Sequence, residues 1–105
     1  MNIFDIFITY VSWGNSGKMR PVLILDQQEA VVSVFNITTQ YENKSEAVRA
    51  KYFKITDWQQ AGLDKQSYVD TGTLITLSLS TFENKTPIGT LTDKDKSDLF
   101  DFLNK

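Results

Sequence analysis

Arg20 is the residue of this chain best placed to do chemistry. It stands between a Gly-containing segment, Ser16-Gly17-Lys18, and the apolar run Pro21-Val22-Leu23-Ile24-Leu25. A guanidinium held by a rigid strand can clamp a phosphate through two parallel N–H groups. The competing reading is a solvated arginine at a strand edge, where most arginines are found. The segment Asn36-Ile37-Thr38-Thr39-Gln40 offers two hydroxyls and two amides where an apolar run ends, and such strand ends often carry sites. The β-propensity of Thr and the turn propensity of Asn account for the same residues without function. Residues 43–54 hold Lys44, Arg49, Lys51 and Lys54 against Glu46, a local balance of +3. Tyr41, Tyr52 and Phe53 flank that patch, and aromatics beside cations suit unpaired bases. A solvated loop, or a partner's acidic segment, explains the charges equally. Asp70, in Ser67-Tyr68-Val69-Asp70-Thr71, is a carboxylate beside three hydroxyls. It could orient Arg20, accept a proton, or simply start a turn.

What is missing narrows the chemistry further. The 105 residues include no Cys and no His. Thiol nucleophiles, disulfide scaffolds, zinc ribbons, His-ligated metals and histidine acid–base pairs are excluded. The net charge is −2, so no bulk basic field draws in nucleic acid and any such binding must be local. The charge is unevenly spread: residues 1–56 hold six cations and five anions, residues 57–105 five and eight. The start, Met1-Asn2-Ile3-Phe4-Asp5, lacks the basic and apolar regions of a signal peptide. No apolar run approaches the ~18 residues of a membrane span. The expectation is a soluble cytoplasmic protein, with one domain over residues 1–105.

The elements that must position these groups are mostly strands. Ile3–Val11, Pro21–Leu25, Ala30–Thr38 and Thr73–Leu79 are β-branched, aromatic or apolar enough for strands, with a short one at Lys51–Ile55. The composition of Trp13–Lys18 predicts a loop, and Thr39–Ala50 is polar and without period. Asp57 is placed as an N-cap for one or two helical turns closed by Gly62. Thr92-Asp93-Lys94-Asp95 has the form of a capping box, opening a helix over Asp93–Leu103 with Leu99, Phe102 and Leu103 on one face. The strand connections are too short for parallel crossovers. The fold class is therefore mainly β with minor α: a small, strongly curved antiparallel barrel with a helix packed on it.

The order Asp-Ile-Phe, Lys18-Met19-Arg20-Pro21-Val22-Leu23-Ile24-Leu25, Asn36-Ile37-Thr38-Thr39-Gln40 resembles the MazF and PemK family, the toxins of type II toxin–antitoxin modules. Ile55–Leu63, Ser67–Asp70 and Pro87–Asp95 are similar to the PemK-like branch, so the likeness runs along nearly the whole chain. The resemblance implies an SH3-like twisted barrel with a short internal helix and a C-terminal helix. It also implies a homodimer that cuts single-stranded RNA at selected sequences, without metal or cofactor, and is neutralised by a cognate antitoxin. By that resemblance Arg20 and Thr38 are catalytic and Ser16 contacts RNA. Asp70 stands for the proton acceptor, and Lys18, Thr39, Gln40, Lys44, Arg49 and Lys51 are candidate RNA contacts. Members carry a Glu-Gln or Asp-Gln pair where this chain has Asp70-Thr71-Gly72-Thr73. Two other readings stay open: a gyrase-poison-like module acting through its C-terminal helix, and a toxin-like scaffold that only binds RNA or an antitoxin.

Overall fold

The computed structural model describes residues 1–105. Strands β1 (Asp5–Trp13) and β2 (Ser16–Gln28) form a hairpin joined by Gly14-Asn15 alone. Of those two residues only Gly14 has positive φ, +55. That is the glycine-first primed turn, whose twist matches the strands it joins. The loop expected over Trp13–Lys18 is thus shortened to two residues, and Ser16, Gly17 and Lys18 already belong to β2. Strand β3 (Val31–Thr38) pairs with β2 from Gln28↔Val31 to Val22↔Asn36, across a bulge between Ile24 and Asp26. A bulge bends its strand and raises the local twist, so the sheet curls there.

The other edge of β3 carries two short strands. Strand β6 (Ile75–Ser78) lies along Val31–Val34, and β5 (Tyr68–Asp70) pairs at Ile37 and Thr38. Strand β4 (Tyr52–Lys54) adds to β5, and β7 (Gly89–Thr90) adds to the start of β1. All pairings are antiparallel, in the order β4-β5-β3-β2-β1-β7 with β6 beside β3. The result is the expected mainly-β, twisted half-barrel, with helices α1 (Glu46–Arg49) and α2 (Asp93–Leu103). The stretch Tyr68–Leu79 is therefore two strands separated by a turn, where one strand from Thr73 is expected. Helix α1 lies in the segment read as aperiodic; its signal is Ser45, whose Oγ accepts from the Val48 N–H at 3.3 Å.

Alternation places Ile6, Leu23 and Phe35 on one face of the sheet, with Ile37, Phe53, Val69 and Leu99 in the same core. Phe7, Val22, Ile24 and Val34 point to the other face, closed by Phe82, whose ring meets Phe7 edge-on at 5.2 Å. Central strands buried on both faces explain why Val22-Leu23-Ile24 is apolar without a break.

Helix α2 has the expected bounds but uses its capping box differently. Thr92 Oγ1 accepts from the Asp95 N–H at 3.3 Å. The Asp95 carboxylate does not return to Thr92. It is fully buried and accepts the N–H groups of Thr56 and Asp57, at 3.0 and 2.8 Å. The Thr92 hydroxyl donates to Asp57 Oδ2 at 2.8 Å. Asp57 is therefore held by α2 and does not cap the turn after it. That turn, Trp58–Leu63, closes as expected at Gly62 (φ +91), through Gly62 N–H to Gln59 O and Leu63 N–H to Trp58 O. A Cβ at Gly62 would also collide with the Ile88 carbonyl. On α2, Leu99 is buried and Phe102 meets Phe53 edge-on at 5.6 Å. Leu103, expected on that face, is 46% exposed; Asp95, one turn before Leu99, is the other buried residue of the helix. No helix is long and apolar enough to cross a membrane.

Asp95 is thus the joint between α2 and the chain leaving β4. Replacing it leaves two backbone N–H groups without their charged acceptor. Asp95→Ala is expected to lose about 2–3 kcal/mol in urea unfolding. Asp95→Asn, which keeps one acceptor oxygen, falls between the two. An unchanged midpoint for Asp95→Ala would remove this role.

Candidate active site and nucleic-acid interface

The site begins at Pro21. In a two-residue hairpin the flanking pair Trp13–Ser16 shares hydrogen bonds, and the bonded pairs then alternate. By that count Ser16, Lys18, Arg20 and Val22 bond toward β1, whereas Met19, Pro21 and Leu23 face β3. Pro21 has no N–H to give. The β2–β3 ladder stops at Val22↔Asn36, and Ile37 and Thr38 pair with β5 alone. The strands part there into a cleft of about 160 Å³. Its walls are Lys18, Met19, Arg20 and Pro21 on one side and Ile37, Thr38, Thr39 and Gln40 on the other, with Ser67 between.

Arg20 sits in this cleft without a counter-ion: the two ion pairs of the protein, Lys94–Asp98 and Lys96–Asp93, both lie on α2. Its guanidinium lies over the Trp13 ring, 5.1 Å from the centroid. Cation–π contact of this kind holds the group while leaving its N–H edges free. Arg20 Nε and Asn36 Oδ1 are buried and have no hydrogen-bond partner within the protein. Each such atom costs about 1–3 kcal/mol if left unmatched. Thr9, the cross-strand partner of Arg20, is buried and its hydroxyl accepts from Lys85 Nζ at 2.9 Å. A loop from far along the chain is thereby tied to the residue paired with Arg20.

The registers put more groups on this face. Arg20, Asn36 and Thr38 share it, as do Tyr68 (opposite Thr38), Asp70, and Tyr52 (opposite Asp70). Thr38 Oγ1 accepts from the Gln40 N–H at 3.0 Å, which leaves the hydroxyl proton free to be donated. One oxygen of Asp70 accepts from the Gly72 N–H at 2.9 Å, the turn role its sequence context allows; the other oxygen makes no protein hydrogen bond. Tyr41 stacks on Tyr68 at 4.3 Å, and Arg49 lies over Tyr41 at 5.6 Å. This stack pins the segment after β3 against the sheet. The Tyr52 phenol is raised above its ordinary pKa of 10, first by burial, then by the Asp70 carboxylate, with Arg20 pulling the other way.

Of the residues singled out from sequence, Arg20, Thr38, Thr39, Gln40 and Lys18 line one cleft. Asp70 and Lys51 line a neighbouring hollow of about 410 Å³, beside Gly72 and Thr73. Arg49 joins through Tyr41. Ser16 is exposed at the hairpin tip opposite Trp13, and Lys44 lines neither hollow. Trp13 and Lys85 escape a sequence reading. Trp13 had a signal in its even spacing from Thr9 and Val11 along one strand; Lys85 had none, because a loop 76 residues away delivers it to Thr9. No three His, Cys, Asp or Glu side chains gather as a metal-binding group.

No family model matches the chain, and no curated protein matches it. Among solved structures, Mycobacterium tuberculosis toxin MazF-mt6 is similar over 95% of this chain and 92% of that one, with a TM-score of 0.70 and 23% identity. That likeness establishes the fold: the half-barrel with its two helices is built as in a MazF toxin.

The facing of Tyr52, Asp70 and Arg20 is testable by titration. The Tyr52 phenol is expected to titrate above 10. Asp70→Asn moves it down and Arg20→Ala moves it up, followed by NMR of the ring carbons. A folded pKa above the unfolded one gives stability that is complete below the unfolded pKa and lost as pH rises through the folded one. Alkaline unfolding of Tyr52→Phe should therefore be less steep. Three unperturbed titrations of Tyr52 would refute the arrangement.

Proposed function

We propose that the protein is a metal-independent, sequence-selective endoribonuclease toxin. It cuts single-stranded RNA in the cytoplasm, acts as a homodimer and is neutralised by a cognate antitoxin. The observation that carries this reading is the cleft at Pro21, in which Arg20 is free of any carboxylate and faces the Thr38 hydroxyl. The MazF toxin fold supports it.

The chemistry needs only the substrate, these side chains and water. A phosphodiester in the cleft meets the Arg20 guanidinium, whose paired N–H groups suit two non-bridging oxygens. Thr38 gives its hydroxyl proton as a hydrogen bond to the same phosphate. The nucleophile is the substrate's 2′-hydroxyl. Its oxygen bonds to phosphorus, its proton passes to the free oxygen of Asp70, and the bond from phosphorus to the 5′-oxygen breaks. The leaving oxygen takes a proton from water. The products are a 2′,3′-cyclic phosphate and a 5′-hydroxyl. Arg20 and Thr38 act where negative charge accumulates on the pentacoordinate phosphorus, the place where fixed donors help most. Lys18, Thr39 and Gln40 border the path of the neighbouring nucleotides. Lys51, Arg49 and Lys44 add positive charge outside it, and Ser16 extends it toward the hairpin tip.

One observation favours a binding-only scaffold. Asp70 already spends one oxygen on Gly72, in a strand that lacks a second acid. The two readings part in one experiment: the purified protein is incubated with a mixed RNA pool in EDTA and the ends are mapped. Cuts at a repeated short sequence, with 5′-hydroxyl ends, are expected. Arg20→Ala is expected to cut at least about 10²–10³ more slowly. Undiminished cleavage by a folded Arg20→Ala variant would overturn the assignment. Intact RNA retained on a filter would leave the scaffold, and intact RNA with inhibited gyrase the gyrase poison.

A further inference from the structure

Arg20 Nε and Asn36 Oδ1 are the protein's two buried side-chain polar atoms without a partner. One is a donor without an acceptor, the other an acceptor without a donor. They belong to neighbouring strands and to one face. Asn36 is the cross-strand partner of Val22, two residues along β2 from Arg20. Such diagonal positions lie roughly 7–8 Å apart, within reach of a long side chain. No carboxylate competes for the guanidinium.

We propose that Asn36 is a positioning residue for Arg20, its amide oxygen taking the Nε–H directly or through one water when the guanidinium engages a phosphate. The consequence for cleavage rests on the ribonuclease reading; the pairing itself does not. An arginine has one Nε–H and four hydrogens on its two terminal nitrogens. With Nε–H turned to Asn36, the terminal nitrogens are left for the cleft. The phosphate is then gripped end-on, and the side-on grip through Nε is closed. Trp13 covers one face of the guanidinium beforehand and fixes its plane, and Asn36, by taking the edge as the phosphate is engaged, sets the direction of the fork. A lysine, lacking an equivalent of Nε, cannot be held this way.

The chain has two arginines, Arg20 and Arg49, so the arginine Nε–H region of an NMR spectrum holds two signals, told apart with Arg49→Lys. In the folded protein saturated with inorganic phosphate, the Arg20 signal is expected to exchange with water at least about tenfold more slowly than that of Arg49. Asn36→Leu should remove most of that protection, and Asn36→Asp, which keeps an acceptor oxygen, should retain it. Asn36→Ala replaces the Leu variant if the latter does not fold. Equal exchange at the two arginines, or protection indifferent to loss of the amide, overturns the proposal. This readout involves no cleavage, so it and the ribonuclease reading fail separately. In single-turnover cleavage of RNA, Asn36→Leu should slow the reaction by about 10- to 100-fold. In an Arg20→Lys background the same change should cost less than about twofold. Equal losses in both backgrounds would mark Asn36 as structural only and overturn the proposal.

Discussion

Proline has no amide hydrogen, and at position 21 that lack falls where β2 would next donate to β3. The consequence reaches well beyond one hydrogen bond. The ladder stops at Val22↔Asn36, β3 turns to β5, and the two strands diverge around Arg20 and Thr38. A cleft formed in this way is an opening in the main chain, and its walls are the parted strands themselves. Its width depends on the curl of the sheet, which the bulge between Ile24 and Asp26 reinforces. A proline in a central strand is usually disruptive. Here it is tolerated because one flank of β2 remains fully paired to β1 through Thr9↔Arg20 and Ile8↔Pro21.

Holding such an opening requires rigidity on both sides. The β1–β2–β3 sheet is buried on both faces, so its strands cannot shift to close the gap without disturbing two cores. The far wall is kept in place by the Tyr41–Tyr68 stack under Arg49 and by the tie from Thr71 to the Lys51 carbonyl just before β4. Behind it, the buried Asp95 carboxylate fixes where the chain leaves β4. Gly62 and Gly89 let the Trp58–Leu63 turn touch β7 backbone to backbone, where any Cβ would intrude. Site and scaffold are therefore joined mainly through backbone donors and acceptors.

Much of this was legible in the residues because it depends on local pattern. β-Branched runs mark β1 to β3, and Thr92 with the Leu99 spacing marks α2. Gly62 marks its turn, and Arg20, Lys18, Thr38, Thr39 and Gln40 come together in one cleft as their chemistry suggests. What escaped depends on distant partners. Asp95 matches a capping box by type, yet its carboxylate satisfies donors 38 and 39 residues away. Asp57 looks like a cap and is instead an acceptor for Thr92. Leu103 fits the apolar spacing but lies past the end of the core, and the helix's other inward position, one turn before Leu99, is taken by Asp95. The loop before β2 looked longer than it is, because Gly and Ser residues that suit a loop also suit the tip of a tight hairpin. No local rule ties Lys85 to Thr9, 76 residues earlier.

The two-residue turn at Gly14-Asn15 carries one more consequence, and it concerns counting. Arg20 is an even number of positions from Ser16, so it lies on the same face as Trp13, Thr9 and Thr38. An added residue anywhere from Ser16 to Met19 would have to be ejected as a bulge. Otherwise it would rotate the arginine to the opposite face, beside Ile8 and Tyr10. The stretch can therefore accept almost no change in length. Its parity, more than the identity of the residues around the arginine, keeps the guanidinium in the cleft.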